Sequence, residues 1–144
     1  MHKNNLRKKN THGFTLIEVM VVVVILAILA AIIVPRILSR PEQARKTAAK
    51  QDILSIQNAL SLYKLDNGFY PSTSQGLQAL VSKPTGAPVP GNWAAGGYLK
   101  KVPVDPFKQQ PYQYAHPGTH GTVDVWCEAP KDVGGEIGNW QSNE

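Results

Sequence analysis

The sequence predicts an α+β chain: a long amino-terminal helix, apolar at first and amphipathic afterwards, packed on a small antiparallel sheet. Three observations carry this. Val19 to Val34 are sixteen consecutive apolar residues. Ala49, Ile53, Ile56, Leu60 and Tyr63 then recur at four-and-three spacing, the stripe of a helix with one buried face. Residues 66–144 are turn-rich and hold most of the 12 Gly and 11 Pro, with alternation around Val123, Val125 and Cys127 that suits a strand. A length of 144 residues allows one modest folded domain. The composition, 42% hydrophobic but unevenly spread, excludes a wholly disordered chain and a polytopic membrane protein.

Residues 1–13 form a basic leader with Lys3, Arg7, Lys8 and Lys9. The formal charge of +5 comes mainly from it, since residues 14–144 carry eleven Lys+Arg against ten Asp+Glu. The pI of 9.4 therefore gives no ground for nucleic-acid binding by the main body. A single cysteine, Cys127, excludes an internal disulfide and a multi-cysteine zinc site, and it reads as a small buried hydrophobe.

Residues 14–34 are the next element, 21 residues interrupted only by Thr15 and Glu18. At about 1.5 Å per residue they make roughly 31 Å of helix, enough to cross a bilayer core. Lipid leaves a lone segment no other backbone choice. Ala27, Ala30 and Ala31 lie inside the run, so the chain lacks the short core and small-residue cut site of an ordinary secretory signal. Basic residues stand on both sides of the segment, so charge alone leaves its orientation open; a short cytoplasmic amino-terminal tail is the default. Glu18 is the anomaly, because a carboxylate within such a helix costs about 2.5–3.5 kcal/mol on insertion scales. By itself it also reads as an interfacial carboxylate reaching for water.

Residues 35–65 continue as an amphipathic stalk helix. Pro35 marks a kink or an end of helix, and Pro41 with Glu42 suits a first turn. Asp66-Asn67-Gly68 supplies a left-handed stop. In residues 66–144, Ser72-Thr73-Ser74-Gln75 fits a capping box before a short helix from Gln75 to Val81. Lys83 to Gly97 reads as a loop, and Tyr112–His116 and Thr122–Cys127 read as strands joined through Pro117–Gly121.

The segment Gly13-Phe14-Thr15-Leu16-Ile17-Glu18 after a basic leader resembles the processing site of type IV pilins and pseudopilins. The likeness continues in Tyr63–Pro71, Gln75-Gly76-Leu77, Gly96–Pro103, Asp105-Pro106-Phe107, Pro111–Tyr114 and Ile137-Gly138-Asn139-Trp140. Over residues 13–140 the chain is similar to the major pseudopilins of type II secretion systems, the general secretion pathway protein G family. The resemblance implies a type IV pilin-like fold, cleavage between Gly13 and Phe14 by a prepilin peptidase, and N-methylation of Phe14. It implies assembly roles for Glu18 and Pro35 in a homopolymer held by the bacterial inner membrane, with its carboxy-terminal domain in the periplasm. The implied partners are minor pseudopilins, an inner-membrane assembly platform and its cytoplasmic ATPase. No disulfide closes the carboxy-terminal loop, as it does in many type IV pilins, which favours the pseudopilin reading.

The family also holds a calcium ion before the terminal Ile-Gly-Asn-Trp stretch, which makes Glu128, Asp132 and Glu136 the candidate ligands here. The connection from Cys127 to Glu136 is shorter than the family's and carries Lys131, so solvated loop acids are the competing reading. A type IV pilin or DNA-uptake pseudopilin is the alternative within the class. A membrane-anchored periplasmic enzyme is the alternative outside it, with His116, His120 and Asp124 as its only clustered candidates, placed around an exposed turn. The chain has no phosphate loop, nucleophile motif or paired carboxylates, so the expectation is a structural subunit and not an enzyme.

Overall fold

The computed structural model describes residues 13–141, apart from the side chains of residues 33–40. The leader up to His12 lies outside them. Helix α1 spans Leu16–Asn67, 52 residues, assigned without a break across Pro35 and Pro41. It starts two residues later than the apolar run and ends at Asn67, where Gly68 takes a left-handed φ of 82° and donates its N–H to the Lys64 carbonyl at 2.7 Å. The chain divides into two units, Met1–Ser39 and Arg40–Glu144.

The second unit contains the core. The stripe read from sequence is buried at every position: Ala49, Ile56 and Tyr63 have no exposed surface, and Ile53 and Leu60 retain 3% and 1%. Against it pack Leu77, Leu80, Tyr112, Tyr114, Val125, Cys127 and Ile137. Apolar burial at about 25 cal/mol per Å² is the main force holding a unit with no internal disulfide.

Three short strands form an antiparallel sheet in the order β1-β2-β3: β1 is Gln113–Ala115, β2 Asp124–Glu128 and β3 Glu136–Gly138. Tyr114 pairs with Val125, and Cys127 with Ile137, so the buried positions sit opposite one another. Both strands read from sequence are present but shorter, and β3 adds a third. The short helix read from Gln75 to Val81 is a 3-10 turn at Leu77–Leu80. The capping box before it is real: Ser72 N–H donates to Gln75 Oε1 at 3.0 Å, and Gln75 N–H donates to Ser72 Oγ at 3.2 Å. The end of α1 is tied down through Tyr98, whose hydroxyl donates to Asp66 and accepts from Asn67 Nδ2 at 3.0 Å.

Candidate assembly and processing site

The start of α1 is a reciprocal capping box. Glu18 N–H donates to Thr15 Oγ1 at 3.3 Å, and Thr15 N–H reaches the Glu18 carboxylate at 3.5 Å. A helix leaves its first four N–H groups unpaired, and this exchange satisfies one while holding the chain at the entry to the helix. The carboxylate also lies in the first turn, where the helix dipole favours negative charge. Gly13, Phe14 and Thr15 lie outside the helix, so the Phe14 nitrogen precedes the cap instead of being part of a helical turn. The sequence reading singled out Glu18 and overlooked Thr15. The Thr-x-x-Glu pattern was the available signal, the same one recognised at Ser72–Gln75.

Beyond the cap, the side chains from Leu16 to Ile32 stand exposed, from 81% at Leu16 to 49% at Leu29. Among the described residues no helix is long and apolar enough to cross a membrane. Within the apolar run the described side chains reach Ile32, and the run itself ends at Val34. Pro35 is within α1, and its side chain lies outside the described residues.

The candidate calcium ligands are arranged differently from a metal site. Glu128 and Glu136 face each other in the β2–β3 register. The Glu128 carboxylate is paired with the Lys108 ammonium, which holds its pKa below the usual glutamate value. Asp132 sits in a 3-10 turn, Lys131–Val133. Calcium takes six to eight oxygens. Among the described residues no three His, Cys, Asp or Glu side chains are grouped so as to hold a metal ion. One of the three candidate ligands is thus already held by a cation.

The His116, His120 and Asp124 cluster is also not a catalytic constellation. His116 packs against Tyr70, with ring centroids 5.6 Å apart. His120 stacks on Trp140 at 3.8 Å. Asp124, expected at an exposed turn, is buried to 2% because the Pro117–Gly121 loop folds over it. Its Oδ2 accepts from Thr119 N–H at 2.8 Å, Thr119 Oγ1 at 3.0 Å, His120 N–H at 3.1 Å and His120 Nδ1 at 3.0 Å. Burial works against the charge, but the His120 and Thr119 hydrogen bonds outweigh it and lower the carboxyl to about 2. The loop needs Gly118, since a Cβ there would stand 2.5 Å from Asp124 Oδ1. Asp124 is a loop clamp. Cys127 is 2% exposed, and burial raises its thiol to about 11, which leaves it inert.

Comparison with known proteins gives a consistent result. Residues 36–141 match the family described as "Type II secretion system (T2SS), protein G", and residues 8–34 match the prokaryotic N-terminal methylation motif. A protein from Pseudomonas aeruginosa, "Type II secretion system core protein G", is 55% identical, the match covering 95% of this chain and all of that one. Its Vibrio cholerae namesake is 52% identical, over 89% of this chain and 90% of that one. The crystal structure of the major pseudopilin from the type 2 secretion system of enterohaemorrhagic Escherichia coli matches with TM-score 0.65 and 36% identity, covering 72% of this chain and 92% of that one.

Proposed function

The chain belongs to the type II secretion system protein G family, and from that premise we propose that it is cut between Gly13 and Phe14, methylated on Phe14, and polymerised into the periplasmic filament of that system. It is a pseudopilus subunit and a structural protein, not an enzyme. In our reading, residues 14–34 first lie in the inner membrane, with the leader on the cytoplasmic side and residues 35–144 in the periplasm. The prepilin peptidase then removes the leader, and an assembly platform driven by a cytoplasmic ATPase moves the subunit into a homopolymer tipped by minor pseudopilins. Filament growth helps to drive folded cargo across the outer membrane.

One observation carries this reading: a capped helix whose apolar side chains, Leu16 to Ile32, stand open to their surroundings. Surface of this kind is stable only when lipid or another protein covers it. Lipid covers it in the stored subunit, and the helices of other copies cover it in the filament. Once the leader is gone, the Phe14 amino group is a cation beside the Glu18 of its own or a neighbouring chain. In a low-dielectric array that pairing selects register and penalises unpaired subunits.

Two substitutions separate the cap from the charge. Glu18→Gln keeps a capping-box partner for Thr15 but removes the anion, whereas Glu18→Ala removes both. Filament yield and secretion should collapse in both variants, while membrane fractionation stays as in the parent. Filaments from Glu18→Gln at the parental level would show that the carboxylate serves only the cap.

A further inference from the structure

The connection between β2 and β3 carries acids and lysines at close quarters. Glu128 and Glu136 are placed directly opposite each other, a like-charge pair that destabilises a ladder unless something offsets it. Lys108 does so, with its ammonium on the Glu128 carboxylate. Lys131 lies in the connection itself, and Lys46 Nζ is 4.0 Å from the point where a Cβ on Gly134 would stand. Of the three acids Glu128, Asp132 and Glu136, the first is thus already held by a cation, and two further lysines stand in or beside the same connection, which lowers its pull on a divalent cation.

The backbone also closes on itself. Ala129 N–H donates to the Gly135 carbonyl at 3.1 Å, Gly135 N–H to Pro130 at 3.1 Å, and Glu136 N–H to Gly134 at 2.8 Å. Gln141 Nε2 donates to the Glu136 carbonyl at 2.7 Å. The carbonyls of Pro130, Gly134, Gly135 and Glu136 therefore each already accept a hydrogen bond from within the loop or from Gln141, which lowers their availability to a hard cation. Val133 is 8% exposed and adds an apolar plug in the middle of the connection.

We propose that this pseudopilin closes its β2–β3 loop without a metal ion: Lys108 is the built-in counter-charge to the Glu128 and Glu136 pair, and Val133 with the loop's own hydrogen bonds holds the turn. The loop is then held the same way whatever the free calcium concentration around it. The proposal concerns the folded unit alone and stands whether or not the chain polymerises.

The test uses the intact chain extracted from membranes in detergent and melted in excess chelator and in millimolar calcium chloride, with bound calcium measured by elemental analysis after desalting. The two melting temperatures should agree within about 1 °C, with no calcium retained. A site filled to a hundred times its dissociation constant would instead raise the midpoint by roughly 10 °C. Val133→Ala should lower the midpoint by several degrees equally in both buffers, and Asp132→Ala should leave both unchanged. Stoichiometric calcium, or a calcium-dependent rise that Asp132→Ala abolishes, would overturn the proposal.

Discussion

Asp124 shows how one side chain decides a local structure. Its folded pKa, about 2, lies below the ordinary 3.8, so the unfolded chain binds the proton more readily. The stabilisation from the clamp is therefore complete above about pH 4 and disappears as pH falls towards 2. Asp124→Asn keeps the shape but loses the charge-assisted bonds. It should lower stability at neutral pH by roughly 1–2 kcal/mol and flatten the acid limb between pH 4 and 2, read from urea midpoints across that range. The sequence revealed Asp124 only as a member of a histidine cluster at a turn. Its burial depends on Gly118 letting a loop approach to a distance that no spacing rule encodes. Glu18 was legible for the opposite reason, because a charge within an apolar run is conspicuous in one dimension. Its partner Thr15 is less conspicuous, because a carboxylate in an apolar run stands out by its insertion cost and only its spacing to Thr15 marks the helix cap.

Elements with a long period were read well and short ones poorly. The stripe from Ala49 to Tyr63 spans four turns, and every position in it is buried. Ile56→Ala, at a site with no exposure, should cost about 2–5 kcal/mol, while Ser55→Ala, exposed and beside it in sequence, should stay within about 0.5 kcal/mol; chemical unfolding of both variants checks the contrast. β3 escaped the reading because it is three residues long, follows two glycines and owes its place to pairing with β2, a non-local fact. Pro35 reads as a kink or a helix end by its own chemistry, and α1 continues past it. One lost hydrogen bond does not end a helix whose neighbouring turns continue on both sides. The candidate calcium ligands rest on family likeness alone, and what their side chains meet, as Glu128 meets Lys108, depends on contacts distant in sequence.

Across the whole chain, the two units divide the work. Arg40–Glu144 contains the buried core. In Met1–Ser39 the described apolar side chains are left uncovered, the surface that the proposed function assigns to lipid or to other copies. Removing residues 1–13 takes four positive charges with it and leaves a chain of net charge +1, a species better suited to packing side by side. Processing is thus the step on which the account turns, and intact mass spectrometry of the membrane-extracted chain measures it most directly. The account predicts a single species lacking residues 1–13 and carrying one added methyl group on Phe14. A chain that keeps its leader, or one cut after Ala31, would contradict it.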